Sequence, residues 1–252
     1  MLWNASALNG YTIVAADGQI GKVAGLMYDE SDWAIRWLVA DTGDWLSGRR
    51  MLLPAAALGQ PDPETHCLPV DLTMRQVEES PDIDDSLPLS RESEAMVRVH
   101  YDPSHRPDRP QWGGIAEKPS DMFAPGAPWP STAAAEPEAR QRETGVHSLS
   151  EVTGDSIEAA DGDVGHADDF LIDTALWQVR YLTVHKSTWW TDEKRLISPL
   201  SIDWIDRVRS IVHLHVTCQK VKDSPPYIES ETVDGAFEEL FHSYYGIHWA
   251  RR

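Results

Sequence analysis

The sequence predicts a mainly β protein, two small β-barrels in tandem with a C-terminal helix after each. Three observations carry this prediction. The chain repeats itself at a spacing of 144 residues, each copy holds an Asp-Gly turn between apolar runs, and each copy has a strand of alternating large apolar side chains. At that shift Gly10, Ile13, Ala15 and Gly21 fall on Gly154, Ile157, Ala159 and Gly165, and Asp29, Arg36, Leu38 and Trp45 fall on Asp173, Arg180, Leu182 and Trp189. The register returns at Thr73, Val77 and Ser80, which meet Thr217, Val221 and Ser224, and a one-residue slip between the blocks aligns Pro54 with Pro199. A unit of this size is a duplicated domain rather than a solenoid repeat, so each copy is expected to bury its own core.

The elements follow in order. Asp17-Gly18 and Asp161-Gly162 predict hairpin turns, because such a turn uses a positive φ that glycine tolerates. Gly21 and Gly25 interrupt the following long strand and predict a bulge or bend that curls the sheet. In the third strand Trp33, Ile35, Trp37 and Val39 are expected on one face, as are Trp177, Val179 and Tyr181 in the second copy. Arg36 and Arg180 then fall on the opposite face, where cross-strand pairs with Asp29 and Asp173 are expected. A fourth strand runs from Arg50 to Pro54 and a fifth from Cys67 to Leu72, closing an antiparallel barrel. Thr73-Met74-Arg75-Gln76 is a capping box opening a short helix. Val233, Phe237, Leu240, Phe241 and Tyr244 form one apolar stripe of a helix, and Ser90 to Tyr101, with Met96, Val97 and Val99, is its weaker counterpart. The expected boundaries are 1–81 for the first barrel, 82–112 for its tail, 113–146 for a Pro/Ala-rich linker, 147–225 for the second barrel and 226–252 for its tail. The linker leaves the barrels free to dock as a pseudo-two-fold pair in place of a homodimer, or to stay apart.

Charge narrows the partners. The net charge is -19, with 41 acidic against 22 basic residues. Such a chain is repelled by phosphate backbones and anionic lipid, so nucleic acid and membrane surfaces are poor partners. Met1-Leu2-Trp3-Asn4 has no basic start of a secretion signal, and no apolar run approaches the ~20 residues of a membrane span. Cys67 and Cys218 occupy non-equivalent positions and are expected as buried free thiols, in keeping with a cytoplasmic chain.

Leu8-Asn9-Gly10, Ala16-Asp17-Gly18-Gln19-Ile20-Gly21, Ile35-Arg36-Trp37-Leu38-Val39 and Leu52-Leu53-Pro54 resemble the PRC-barrel family, named for the cytoplasmic domain of the photosynthetic reaction-centre H subunit. Ser80-Pro81-Asp82-Ile83-Asp84 with Leu89-Ser90-Arg91, and Tyr244-Tyr245-Gly246 in the second copy, resemble a bacterial subgroup of that family. The resemblance implies a PRC-type barrel and an adaptor role, as in the reaction-centre subunit and in the C-terminal barrel of a ribosome-maturation factor. It implies no catalytic residue. The first relative's membrane anchor and the second's RNA-associated domain have no counterpart here.

The candidate sites are few. Trp33 and Trp177 are expected as core anchors, each burying ~150–250 Å². Trp45, Trp189 and Trp190 follow the third strand in a duplicated loop, and loop tryptophans are typical interface hot spots, so they are the candidate partner-binding residues. Capping of a barrel mouth is the competing reading. His213-Leu214-His215 puts two imidazoles on one strand face, but the equivalent Pro69 and Asp71 and the lack of a third ligand argue against a metal. Asp84-Asp85, Asp168-Asp169 and Asp161-Gly162-Asp163 lack the regular pattern of a calcium loop. No phosphate-binding loop or nucleophile elbow is present, so neither cofactor nor enzymatic turnover is expected. The expected function is a protein-interaction or adaptor module. The alternative is a quinone- or tetrapyrrole-like apolar ligand between the modules, in a photosynthesis- or electron-transfer-associated accessory protein.

Overall fold

The 144-residue spacing of the sequence is also the spacing of the elements. In the computed structural model, which describes residues 2–81, 89–102, 144–186, 194–228, 233 and 235–246, the first repeat runs β1 (Leu2–Asn4), α1 (Ala5–Leu8), β2 (Thr12–Val14), β3 (Gln19–Asp29), β4 (Ile35–Asp41), β5 (Arg50–Pro54), β6 (Cys67–Pro69), α2 (Met74–Glu78) and α3 (Arg91–Tyr101). The second runs β7 (Val146–Ser148), α4 (Leu149–Val152), β8 (Ser156–Ala159), β9 (Gly162–Asp173), β10 (Gln178–Lys186) and β11 (Lys194–Ile197). It continues with β12 (Ile202–Asp206), β13 (Ile211–Leu214), α5 (Cys218–Lys222), β14 (Pro226–Tyr227) and α6 (Gly235–Tyr245). Each helix of the first repeat superposes end to end on its counterpart at a shift of 144 residues. So do the 3-10 turns Ala55–Ala57 and Pro199–Ser201, which removes the expected slip at Pro54 and Pro199. Pro54 caps its turn from outside, whereas Pro199 opens its turn from within, where a missing N–H costs nothing.

The fold is mainly β, in two sheets. One has the order β5-β4-β3-β2-β6 with β7 added to β3, and the other β12-β13-β8-β9-β10-β11-β14 with β1 added to β9. Neither sheet closes into the expected barrel among the described residues. The expected all-antiparallel pattern also fails, because β6 lies parallel to β2 and β13 parallel to β8. In the first repeat the segment after β5 meets the segment after β6 only at the isolated bridge Leu58–Val70, too little to make a ladder.

The two added strands are exchanged. β3 pairs with β2 over its first residues and with β7 of the other repeat over Met27–Asp29, so its second half would otherwise be an open edge. β9 is completed in the same way by β1, with Leu2 opposite Asp173 and Asn4 opposite Leu171. The symmetry continues at the two tryptophans. Trp33 and Trp177 adopt left-handed φ of 59° and 48°, a strained region for a bulky side chain. The strain exposes their carbonyls to the opposite repeat: Ile35 donates its N–H to Trp177 O at 2.7 Å and Val179 to Trp33 O at 2.9 Å. Both indoles are buried as expected, Trp33 stacked on Tyr28 at 4.8 Å. Most of the buried apolar residues of both repeats form one continuous core, which overturns the expectation of separate cores, and a smaller cluster lies beneath each of α3 and α6.

Outside that core a polar clasp joins the repeats. Arg207, in the β12–β13 turn, reaches Glu30 at 2.6 Å, and His147 lies 3.6 Å from both Glu30 and Glu151. At the equivalent place on the opposite side Gln60 and Thr174 exchange two hydrogen bonds of 2.7 Å.

A bulge changes the reading of the third strand. Arg36 and Arg180 are extra residues opposite β3 and β9, so the alternation reverses after Ile35 and Val179. Trp37 and Val39 therefore leave the side of Trp33 and Ile35 and pack with Leu89 and Val97 beneath α3. Tyr181 does the same beneath α6. The predicted bulge near Gly25 is present as a second register shift between Val23 and Gly25.

The Asp-Gly turns close the expected hairpins, joining β2 to β3 and β8 to β9, and each also seats a helix. Gly18 does not adopt a positive φ, and a Cβ there would meet Met74 Sδ at 2.5 Å, so the glycine makes room for α2. Gly162 has φ of 155°, and its neighbour on α5 is Cys218. The aspartates are helix caps as well as turn residues: Asp17 accepts from Met74 N–H at 2.7 Å and Asp161 from Cys218 N–H at 2.6 Å. The Thr73–Gln76 capping box forms as predicted. Cys67 and Cys218 are free thiols but only partly buried. No helix of the described residues is long and apolar enough to cross a membrane.

Candidate binding groove and interaction surface

α3 and α6 lie over equivalent faces of the two repeats, and their residues correspond one to one at the 144-residue shift. The docking is anchored alike. His100 Nε2 contacts Gln76 O at 2.7 Å, and its counterpart Tyr244 donates its hydroxyl to Lys220 O at 2.8 Å. Val97 and Phe241 are fully buried. The predicted stripe was one residue too wide on each helix, since Met96 is 54% and Leu240 59% exposed; Glu94 and Tyr245 occupy the buried side instead.

Beneath α6 the contact is filled. Phe241 packs edge-on against Tyr181 at 5.0 Å and tilts against Tyr245 at 4.7 Å. Arg180, expected to pair across the strands with Asp173, reaches Glu238 of α6 at 3.1 Å. The Tyr181 hydroxyl lies 3.3 Å from Glu238 and 3.1 Å from His242, and burial pushes its pKa well above the usual phenol value. Burial pushes the His242 imidazole down.

Beneath α3 the same positions carry smaller or differently directed groups. Phe237 and Phe241 are replaced by Ser93 and Val97, and Leu200 by Ala56. Arg36 turns to its own strand end, 3.0 Å from Asp29 and 2.7 Å from Asp32, as the sequence predicts for Asp29. Arg98 pairs with Glu94 at 2.5 Å on the helix itself. Beside α3 lies a cavity of about 710 Å³ lined by Ile35, Arg36, Trp37, the Pro54–Ala57 segment, Asp71 and Arg98. A second cavity, of about 270 Å³, lies between the repeats against Ser6, Ser150, Asp168 and Asp169 and has no tryptophan in its wall.

The predicted partner residues divide. Trp45 sits in the 3-10 turn Gly43–Leu46, half-buried, and packs against the shared core. That favours the capping reading for this residue. Trp189 and Trp190 lie outside the described residues. Of Asp84-Asp85 the same holds, whereas Asp168 pairs with Lys194 at 2.5 Å and Asp169 binds Ser6 across the repeats. Among the described residues no group of three His, Cys, Asp or Glu is placed to hold a metal.

A surface tryptophan with no counterpart in the first repeat stands out instead. Trp204 is 49% exposed on β12, the outermost strand of its sheet, and stacks face to face on His213 at 4.1 Å and 15°. His213 in turn lies 3.7 Å from Glu158 on the next strand. The equivalent of Trp204 in the first repeat is Gln60, so the signal was a departure from the repeat rather than a shared residue. Val208, in the adjoining turn, is 96% exposed, and among the described residues the other large exposed apolar side chains are Leu176, Leu200, Ile228 and Leu240 in the second repeat and Met96 in the first. No known family model matches the chain, and no curated protein matches it in sequence.

Proposed function

We propose that the protein is a non-enzymatic interaction module, a tandem PRC-barrel pair acting as its own dimer, that docks another protein on its second repeat. The observation that carries this reading is the open edge of β12, where Trp204 stands half-exposed on a His213 platform. An outermost strand offers unpaired backbone N–H and C=O groups to an added strand, and an exposed indole beside it supplies an apolar anchor. Asp203 and Asp206 on the same strand, in a chain of net charge -19, favour a basic partner.

The PRC-type barrel is the architecture this reading presupposes, with β1 and β7 exchanged between the two units. The resemblance in the Asp-Gly turn and the Ile35–Val39 strand supports it, and so does the helix that follows each unit. The test is capture of binding proteins from the native cell extract by the intact chain and by Trp204→Ala. The same bound polypeptides retained by the parent and lost from the variant support docking at β12. Equal retention by both places the partner elsewhere.

A further inference from the structure

The same edge is built differently in the two repeats, and the difference specifies what β12 takes. We propose that β12 binds an extended segment of the partner as an added strand, in which lysine or arginine alternates with apolar residues. This rests on the docking at β12 proposed above and adds how the partner is held and which side chains it carries.

The backbone argument comes from the first repeat. The counterpart of β12 there is residues 58–62, which carry Pro61 where β12 has Ile205, and Pro63 follows where the second repeat has Arg207. Asp62 donates its N–H inward to Cys67 O at 2.9 Å. Consecutive N–H groups of an extended chain point to opposite edges, so Pro61 takes the position whose N–H would face outward. A proline there has no donor to offer, which is one way in which proteins block a sheet edge. In the second repeat Asp206 lies opposite Ile211 at the equivalent place, and Ile205 restores the outward donor. The isolated bridges Leu58–Val70 and Asp62–Cys67 of the first repeat also become the ladder of β12 with β13.

The two faces of β12 set the alternation. Ile205 stands opposite the buried Val212 and packs against the shared core, so an added strand continues that face with apolar groups. On the other face Trp204, His213, Glu158 and Asp163 lie opposite one another across β12, β13, β8 and β9. Their counterparts are Gln60, Pro69, Val14 and Gln19, so the aromatic pair and both carboxylates belong to the second repeat alone. His213 covers one face of the Trp204 indole, and β12 is outermost, so a cation on an added strand meets the other face. Asp203, exposed on the same strand, and the half-exposed Glu158 add negative potential around it. Of the cations in the adjoining turn, Arg207 pairs with Glu30 and Glu151, and Arg209 lies 3.9 Å from Asp206.

The experiment gives the full chain a blocked peptide of alternating lysine and valine, about six residues long, the length of an ordinary strand. Calorimetry reads affinity and amide hydrogen exchange reads location. Expected are slower exchange at the Ile205 amide and affinity at least about tenfold weaker for the peptide with glutamate in place of lysine. Methylating the backbone nitrogens of the lysines or those of the valines blocks opposite edges of the peptide. One of those two peptides is therefore expected to lose binding and the other to keep it. Ile205→Pro, which copies the residue the fold already holds at position 61, is expected to stay folded and lose the peptide. Undiminished binding of both methylated peptides, equal affinity for the lysine and glutamate peptides, or parental affinity in Ile205→Pro would overturn the proposal. So would unchanged exchange at Ile205, or no binding of the lysine peptide to the folded parent chain. Partner capture lost in Trp204→Ala but kept in Ile205→Pro would overturn the added strand while leaving docking at the indole in place.

Discussion

α3 and α6 occupy the same place on two copies of one fold, yet α6 packs through the rings of Phe241 and Tyr245 where α3 packs through Val97 and has a cavity beside it. Both are anchored through the same backbone carbonyl, at Gln76 and at Lys220, so the docking geometry is held in common. The difference lies in the side chains between anchor and sheet. Phe241 against Tyr181 buries two ring faces, where Val97 against Trp37 buries one ring and a branched stub. A duplicated unit can therefore keep one copy for stability and release the equivalent surface of the other.

The largest expected effect comes from removing a ring from the filled side. Phe241→Ala should cost about 3–5 kcal/mol in denaturant unfolding, whereas Val97→Ala should cost about 2 kcal/mol, because a smaller group leaves a smaller void. Equal losses would mean that the two helices contribute alike. Next in size is the Arg180–Glu238 contact. Glu238→Gln should cost about 1–3 kcal/mol, since Arg180 is 11% exposed and loses a charged partner. Arg98→Ala, on a half-exposed pair, should cost under about 1 kcal/mol.

The smallest effect is a pH dependence confined to the second repeat. Burial lowers the His242 pKa in the folded chain, so the folded state binds fewer protons than the unfolded state near the ordinary histidine value of about 6.5. Stability is then complete above that pH and declines as pH falls through it toward the lower folded value. His242 is partly exposed, so the decline should be well under about 1 kcal/mol, and His242→Gln should remove it from the difference between unfolding curves at pH 7.5 and 5.5. The position that corresponds to His242 in the first repeat is Arg98, and Arg98→Gln should leave the pH dependence as it was.

Much of the local structure was legible in the residues themselves. The capping box at Thr73, the strand Arg50–Pro54, the helix at Arg91–Tyr101 and the burial of both anchor tryptophans follow from short-range chemistry that sequence displays directly. The reversal at Arg36 was not legible, because a bulge inserts one residue without any marker in the alternation it interrupts. The exchange of β1 and β7 was hidden for a different reason. Leu2-Trp3-Asn4 and Val146-His147-Ser148 are short strands whichever sheet they join, and the choice depends on which half of β3 or β9 lacks a neighbour. Of the candidate site, Arg36 was visible as a repeated residue, but the cavity beside it is lined by segments far apart in the chain, from Ile35 to Arg98, that no local pattern brings together. Trp204 carries no signal in the repeat, because its counterpart in the first copy is Gln60.

The central claim is that each repeat completes the other's sheet, and deletion of Met1–Asn4 tests it most directly. Hydrogen exchange of the truncated chain should show lost protection at Leu171–Asp173, more than 160 residues from the cut, while Gln19–Asp29 keeps its protection. Lost protection confined to Gln19–Asp29, with Leu171–Asp173 unchanged, would show that β1 belongs to its own repeat and would contradict the exchange.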